Sequence, residues 1–299
     1  MIPFSMVNDS SLHSSLPTLV STEWLAARLG APSIRVIDGS WYLPSDGRDA
    51  EREYEAAHLP GAVFFDLDAS SDSSTPLPHM LPSAAEFASR MSALGLDDAS
   101  NSVVYDGSGS NLSAARVWWV FRVFGHQSVA VLDGGLGAWR AEGRPLESRV
   151  VIHKPGKFTA RLDTRQVRDL DAVLANVGSE REQVIDARAA ARFAGIAPEP
   201  RPGMRGGHIP GSLNLPYMEV VSPSGTVLPL EVLRQKLDAI GVDLTRPIVL
   251  TCGSGTSACG LALALELLGA PEVAVYDGSW SEWGGRADTP IENGPPRPA

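Results

Sequence analysis

Short apolar runs recur along the chain, and each ends at an aspartate or just before a glycine-rich turn. They cover residues 36–38, 103–105, 129–132, 184–186, 248–251 and 273–276. Their hydrophobicity is continuous rather than alternating, which is typical of parallel strands covered on both faces. We therefore predict a buried parallel sheet in each half of the chain.

Between these runs, apolar residues recur at spacings of three and four, which predicts helices. The clearest stretches are residues 22–29, 84–94, 230–240 and 258–268. Thr22 and Ser83 stand where N-caps are expected. Alternation of such strands and helices predicts an α/β fold, with helices flanking each sheet.

The two halves repeat one pattern. Both contain, in the same order, an apolar run ending in Asp, the motif His-Leu/Ile-Pro-Gly, a run leading into a Gly-Ser-Gly turn, and a run ending in Asp-Gly before a Trp. The Asp-to-His spacing is 20 residues from Asp38 to His58 and 22 from Asp186 to His208. Such a repeat indicates a duplicated domain.

The repeat divides the 299-residue chain, which has the length of about two ordinary domains. We predict a first domain over residues 17–148, a linker over 149–166 and a second domain over 167–292. The linker segment is polar and basic with one Pro-Gly pair. Ser-rich residues 1–16 and Pro-rich residues 294–299 are predicted tails.

Composition limits the partners and the compartment. The formal net charge is −10, which argues against nucleic acid or an anionic membrane as the main target. The two cysteines, Cys252 and Cys259, imply no disulfide framework. Neither a signal-peptide pattern nor an apolar stretch of about 18 residues is present. These features predict a cytoplasmic protein in a reducing compartment.

The duplication also helps to separate fold from chemistry, because a feature found in both halves is attributed to the fold. His58 and His208 each precede Leu/Ile-Pro-Gly and are interpreted as residues that hold a turn. The same interpretation covers the pairs Asp38 and Asp186, Asp133 and Asp277, and Trp139 and Trp283.

Cys252 occurs in one half only, since Asp106 stands at the same place in the first half. It follows a buried strand and opens a Gly-Ser-Gly loop that leads into an apolar helical run. Glycines allow such a loop to turn its N–H groups inward, and the helix dipole adds positive potential. This setting stabilises a thiolate, so Cys252 is the predicted nucleophile. Cys259 lies inside the helix and is interpreted as a packing residue.

Three other loop chemistries are excluded by residue counting. A tyrosine-phosphatase loop needs Arg six residues after its cysteine, where Ala258 stands. A P-loop needs a Lys after its glycines, and a serine-hydrolase elbow needs Gly two residues before Ser254, where Cys252 stands. No metal-ligand cluster is visible, so we predict neither a metal nor a cofactor.

These motifs in combination resemble the two-domain sulfurtransferases of the rhodanese superfamily. The resemblance rests on the repeat, His-Ile-Pro-Gly, the loop at 252–255 and the closing motif YDGSWSEW at 276–283, and it spans residues 17–292. It implies tandem rhodanese-like domains, of which only the second is catalytic. The neutral loop is similar to that of members that use 3-mercaptopyruvate, whereas members that use thiosulfate typically carry Cys-Arg-Lys-Gly.

The resemblance also implies site residues. Arg192 and Arg201 match the substrate arginines, and two guanidinium groups suit a carboxylate and a keto oxygen. Asp68 and His79, 11 residues apart, match the pair that would form a Ser-His-Asp relay with Ser254 across the domain interface. The remaining loop residues expected to bind substrate are Gly253, Gly255, Thr256 and Ser257.

Three further positions, each close in sequence to a predicted site residue, also bear on the site. Thr256 stands where the family usually has Val, which makes the loop more polar and bears on access or acceptor preference. Pro78 replaces an Asp often found before the histidine, which bears on the orientation of His79. Arg188 lies closer to its strand than Arg192 and is interpreted as structural.

The implied activity moves the sulfur of 3-mercaptopyruvate through a Cys252 persulfide to thioredoxin, a small thiol or cyanide, and releases pyruvate. Two alternatives stay open. One is a thiosulfate:cyanide sulfurtransferase, which kinetics on both donors would distinguish. The other is a sulfur-carrier or binding module without enzymatic activity, in which Cys252 need not gain a sulfur from the donor.

Overall fold

A computed structural model describes residues 16–295, so residues 1–15 and 296–299 of the two predicted tails lie outside the described residues. The first domain contains β1 (Leu19–Val20), β2 (Ile34–Asp38), β3 (Val63–Phe64), β4 (Asn101–Tyr105) and β5 (Val129–Leu132). The second contains β6 (Val167–Arg168), β7 (Gln183–Asp186), β8 (Leu213–Asn214), β9 (Ile248–Thr251) and β10 (Val273–Tyr276).

Each domain has one five-stranded sheet, and both sheets share a topology. The strand orders are β1-β5-β4-β2-β3 and β6-β10-β9-β7-β8, and every pairing is parallel. All residues of β5, β7 and β9 are buried, which explains their uninterrupted apolar pattern. The predicted α/β architecture with a parallel sheet in each half is confirmed.

Ten α-helices flank the two sheets within residues 16–295. They are α1 (Thr22–Ala26), α2 (Ala50–Ala56), α3 (Ala84–Ala93), α4 (Leu112–Val123), α5 (Gly135–Ala141), α6 (Leu170–Ser179), α7 (Ala190–Phe193), α8 (Leu230–Ala239), α9 (Thr256–Leu267) and α10 (Ser279–Trp283). None of these helices is both long and apolar enough to cross a bilayer.

Helix ends show where local prediction succeeded and where it was wrong. The cap of α1 is Ser21 rather than Thr22, because the Ser21 hydroxyl accepts the amide of Trp24 at 3.1 Å. The cap at Ser83 is confirmed, and Glu86 completes a capping box there. Helix α9 begins at Thr256, two residues before the predicted start, so only residues 252–255 separate it from β9.

The segment predicted as a linker is anchored to the first domain. The amide of Gly156 donates to the Ser92 carbonyl at 2.8 Å, and that of Arg161 donates to the Phe124 carbonyl at 2.9 Å. Phe158 is buried in the core of that domain. Backbone pairing and one apolar anchor therefore fix this segment despite its polar composition.

The two domains pack together through equivalent helices. Helix α4 follows the Asp106 loop, α9 follows the Cys252 loop, and the two helices contact each other along the interface. Both are almost entirely buried, and one hydrophobic core runs through both domains. The cysteine loop therefore begins directly at the domain interface.

Gly260 on α9 provides a test of this close packing. A Cβ at this position would lie 2.0 Å from Cε2 of Tyr217, whose buried hydroxyl donates to the Ser110 carbonyl. We expect Gly260→Ala to lower the free energy of unfolding by about 2 kcal/mol, because overpacking outweighs a gain in helix propensity of about 1 kcal/mol. Urea denaturation measures the change.

Gly137 on α5 is the matched control, because it is exposed and a Cβ there meets nothing within 4 Å. Gly137→Ala is expected to raise the free energy of unfolding by roughly 0.5–1 kcal/mol. Two variants with equal unfolding free energies would contradict the packing account.

Candidate active site

Cys252 lies at the carboxyl end of β9, and the start of α10 fixes its loop from outside. The amides of Trp280 and Ser281 donate to the carbonyls of Cys252 and Gly253 at 2.9 and 2.8 Å. The Cys252 amide donates to the Ser279 hydroxyl at 3.2 Å. Cys252 is 1% exposed. The nucleophile predicted from the sequence thus lies in a rigid, shielded turn.

The backbone of this loop has hydrogen-bond donors that no other described residue accepts. Gly255 has φ +77°, a left-handed conformation that favours glycine. Within residues 16–295, the amides of Gly253, Ser254 and Gly255 donate to no protein acceptor. Three adjacent free amides at the start of a helix suit an anion such as a persulfide sulfur.

The equivalent loop of the first domain is already filled by its own carboxylate. Asp106 accepts the amides of Ser108 and Ala114, both at 2.8 Å, and the Ser108 hydroxyl at 2.6 Å. Asp106 is 1% exposed. Asp106 therefore binds one amide of its own loop and one of α4, and the Gly107 amide donates to the Ser40 hydroxyl at 2.9 Å, which fits the prediction that the first domain is not catalytic.

His79 reaches the cysteine loop from the first domain. Its Nδ1 lies 3.2 Å from the Ser254 hydroxyl, and its Nε2 lies 3.1 Å from Oδ1 of Asp68. The hydrogen bond from His79 lowers the pKa of Asp68, so this carboxylate is ionised near neutral pH. With Nε2–H directed at Asp68, Nδ1 is left as the acceptor for Ser254. The three relay residues implied by the resemblance are brought together.

Two further side chains contact this relay. The indole N–H of Trp41 donates to Oδ2 of Asp68 at 2.9 Å, and its ring meets His79 edge-on at 4.6 Å between centroids. Thr256 places a second hydroxyl 3.2 Å from His79 Nδ1, beside that of Ser254. Trp41 was not predicted, and the only signal for it was an aromatic residue three positions after the aspartate that ends the strand motif.

Arg192 extends over the loop but carries a partner that the sequence analysis missed. A Cβ at Gly253 would lie 3.2 Å from its Nη2. The buried carboxylate of Glu199 accepts from Nε of Arg192 at 3.1 Å and from Nη2 as well. Glu199 also accepts from Nη1 of Arg188 at 2.8 Å. Glu199 therefore orients Arg192 from behind.

Arg188 has the structural surroundings that were predicted for it. It is 2% exposed, and its guanidinium binds both carboxylate oxygens of Asp186. It also stacks over the Trp280 ring at 4.0 Å. All its polar contacts are internal.

Arg201 completes the charged side of the site. Its Nη1 lies 3.4 Å from the Ser281 hydroxyl, next to the cysteine loop. Burial lowers the pKa of Arg201 from its ordinary value, the charges of Cys252 and Asp68 oppose this shift, and Arg192 adds to it. These opposing influences show that both arginines, the thiol and the relay carboxylate converge on one region.

Ser257 and Cys259 both lie on α9. Ser257 is in its first turn and is partly exposed. Cys259 is buried and donates its S–H to the Gly255 carbonyl at 3.1 Å. Burial raises the pKa of Cys259 to about 12, which keeps it a thiol. These surroundings agree with a packing role for Cys259.

A family model for the rhodanese-like domain matches residues 21–142 and again residues 169–286. The chain is therefore built from two rhodanese-like domains and belongs to the rhodanese family. Within this family it is an enzyme of the sulfurtransferase type, as its full-length relatives show.

The 3-mercaptopyruvate sulfurtransferase of Rattus norvegicus is 47% identical over 274 residues, covering 90% of this chain and 92% of the rat protein. The thiosulfate sulfurtransferase of Bos taurus is 45% identical over 275 residues, with the same two coverages. The crystal structure of SseA from Escherichia coli, a 3-mercaptopyruvate sulfotransferase, superposes with a TM-score of 0.81 at 40% identity and covers 89% of this chain and 99% of SseA.

These comparisons do not select a sulfur donor by identity alone. Relatives named for mercaptopyruvate and for thiosulfate differ by only a few per cent in identity to this chain. The choice of donor has to rest on the site.

Proposed function

We propose that the chain transfers the sulfur of 3-mercaptopyruvate, through a persulfide on Cys252, to a thiol acceptor and releases pyruvate. The observation that carries this proposal is the contact of His79 Nδ1 with Ser254, two residues from Cys252, with Asp68 on the other ring nitrogen. Thiosulfate leaves behind sulfite, a stable anion. Mercaptopyruvate leaves behind a carbon that must gain a proton, so a proton relay favours this donor.

In the first half-reaction the Cys252 thiolate attacks the sulfur of the donor. An S–S bond forms, the C–S bond breaks, and its electron pair passes to the carbon, giving the enolate of pyruvate. The proton of the donor thiol passes to the relay of Ser254 and His79 and returns to the enolate carbon. The products are pyruvate and the Cys252 persulfide anion, which the free amides of the loop stabilise.

The two arginines bind the donor's oxygens. Arg192, oriented by Glu199, and Arg201 together offer the planar donors that a carboxylate and a keto oxygen accept. The same contacts stabilise the enolate oxygen as charge develops on it. Both side chains border the loop, so they bring the donor sulfur toward Cys252.

In the second half-reaction an acceptor thiolate attacks the outer sulfur of the persulfide. The S–S bond to Cys252 breaks, and the Cys252 thiolate is regenerated with its electron pair. Thioredoxin, a small thiol and cyanide are the acceptors we propose, and no cofactor is needed because the persulfide carries the sulfur between the two steps. The need for a reduced Cys252 supports a cytoplasmic location as part of this proposal.

Steady-state kinetics on both donors tests the proposal. The purified chain is given 3-mercaptopyruvate with a reducing thiol, and pyruvate and sulfide are measured; thiosulfate with cyanide is assayed in parallel. We expect the larger kcat/KM for 3-mercaptopyruvate. A larger value for thiosulfate would replace the proposal with a thiosulfate sulfurtransferase, the second candidate, which the 45% identity to the bovine enzyme favours.

Arg192→Lys tests the binding role of the arginine. Lysine keeps the charge but loses the planar, two-pronged donor, so we expect KM for 3-mercaptopyruvate to rise about 10- to 100-fold with a smaller change in kcat. Initial rates over a range of donor concentrations give both constants.

Arg286→Lys is the matched control in the same domain, because Arg286 is exposed and pairs with nearby Asp288. It should leave both constants near their wild-type values. An unchanged KM in Arg192→Lys would remove Arg192 from the binding site.

A further inference from the structure

The backbone of His79 has a conformation that a bulky residue rarely adopts. Its φ is +61°, in the left-handed region, which residues other than glycine adopt only at an energetic cost. The offset between Asp106 and Cys252 is 146, and 79 plus 146 gives Gly225, whose φ is +82°. The second domain thus has a glycine where the first has His79. Surrounding contacts must hold the histidine in this conformation.

One buried ion pair contacts the backbone of His79 and Leu81. The guanidinium of Arg116 on α4 donates through Nη2 to the His79 carbonyl and to Oδ1 of Asp277, the latter at 2.7 Å. The other oxygen of Asp277 accepts the amide of Leu81 at 2.8 Å. Asp277 belongs to the second domain, so the pair ties the backbone around His79 across the interface.

The equivalent position in the repeat is held by a neutral contact instead. The Gly225 carbonyl accepts from Nδ2 of Asn111 at 3.0 Å, and the amide of Val227 donates to Asp133 at 2.8 Å. Both domains therefore use an aspartate to dock the other domain's segment. The segment that carries the relay histidine is held, in addition, by the buried charge of Arg116.

The same pair also supports the cysteine loop. A Cβ at Gly255 would lie 2.9 Å from Nη1 of Arg116 and 3.1 Å from the Asp277 carbonyl. Arg116 and Asp277 are almost completely buried. Burial alone would lower the pKa of Arg116, but the charge of Asp277 raises it above its ordinary value, so the guanidinium stays charged.

We propose that Arg116 and Asp277 are positioning residues that hold His79 in its left-handed conformation and thereby keep Nδ1 against Ser254. They touch the backbone beside the relay rather than the substrate. The proposal rests on the relay role given to His79 in the proposed function, and it makes the domain interface part of the catalytic arrangement.

The double variant Arg116→Met with Asp277→Asn removes both charges together, so neither is left buried without its partner. We expect kcat with 3-mercaptopyruvate to fall about 10- to 100-fold, because a shift of about 1 Å in a reacting group has an effect of this size. KM should change less than about threefold, since the arginines that bind the donor are unaffected. Hydrogen exchange of the Leu81 amide should become faster.

The matched control is Arg122→Met with Glu266→Gln. This ion pair also crosses the domain interface, but it joins the last turn of α4 to the last turn of α9, at 2.8 Å. It should leave kcat and Leu81 exchange at wild-type values. An equal loss of kcat in the control would overturn the proposal in favour of a general effect of the interface.

Arg116→Lys covers the case in which the double variant does not fold. Its ammonium keeps the charge near Asp277 but ends one bond short of the Nη2 position, from which the arginine reaches both the His79 carbonyl and Oδ1 of Asp277. We again expect a lower kcat with an unchanged KM, and wild-type kcat in a folded Lys variant would overturn the proposal. If wild-type protein forms no pyruvate, the proposed function fails. Leu81 exchange then still decides the positioning role, which unchanged exchange in the variants would overturn.

Discussion

Cys252→Ser is expected to abolish sulfur transfer, with kcat for either donor reduced by at least about three orders of magnitude. A serine hydroxyl fits the same turn but is not ionised near neutral pH, and it cannot carry a second sulfur as a persulfide. Pyruvate release measures the loss of turnover. Intact mass after incubation with donor should show one added sulfur on the wild-type chain and none on the variant.

Cys259→Ser is the control for this substitution. Cys259 lies seven residues further along the chain, is buried in α9, and has a pKa raised by burial to about 12. A serine hydroxyl can make the same hydrogen bond to the Gly255 carbonyl. We expect near wild-type turnover and the same gain of mass. Turnover that survives in Cys252→Ser would refute the persulfide mechanism.

The fold could be predicted because its determinants are local and duplicated. Fully buried strands such as β7 and β9 leave an uninterrupted apolar run, and the repeat confirms each element by a second copy. The N-cap of α1 could not be predicted from the sequence, because Ser21 and Thr22 are both good capping residues. Only the hydrogen bond of the Ser21 hydroxyl to the Trp24 amide decides between them.

The part of the candidate site that could be predicted consists of residues that are contiguous in the sequence. Cys252 and its glycine loop are contiguous, and comparison with Asp106 marked the loop as different. The structure adds a physical reason, since Asp106 accepts the Ser108 amide of its own loop, whereas the amides of residues 253–255 have no protein acceptor in the part of the chain that the structure describes. One substitution thus separates a closed loop from one open to an anion.

Contacts between distant segments could not be predicted in this way. Asp277 was attributed to the fold because Asp133 is its counterpart, yet both aspartates bind a backbone amide of the other domain. A duplicated feature can therefore serve the site in one copy only. Arg116, a charge inside the otherwise apolar start of α4, was the signal that could have indicated a buried partner.

His79 differs from the two duplicated histidines in its hydrogen-bond partners. His58 and His208 each bond through Nδ1 to a carbonyl of their own domain, at 2.6 and 2.9 Å. His79 instead directs Nδ1 at hydroxyls of the other domain. Its left-handed backbone adds an energetic cost that a purely structural histidine would not need.

His79→Ala is expected to lower kcat with 3-mercaptopyruvate by about 10²- to 10⁴-fold, the range for loss of a general acid–base group. The enolate would then have to gain its proton from water. Turnover of thiosulfate should fall by less than about tenfold, because sulfite leaves as a stable anion and needs no such proton. The ratio of kcat for the two donors is therefore the informative quantity.

Two further variants make this comparison specific. Asp68→Asn should shift the ratio in the same direction, since an amide cannot hold the His79 tautomer as an ionised carboxylate does. His153→Ala removes a histidine that packs against Gly95 in the first domain, and it should leave the ratio unchanged. If His79→Ala slowed both donors equally, the histidine would support the cysteine loop in general, and the relay would lose its role in selecting a carbon leaving group.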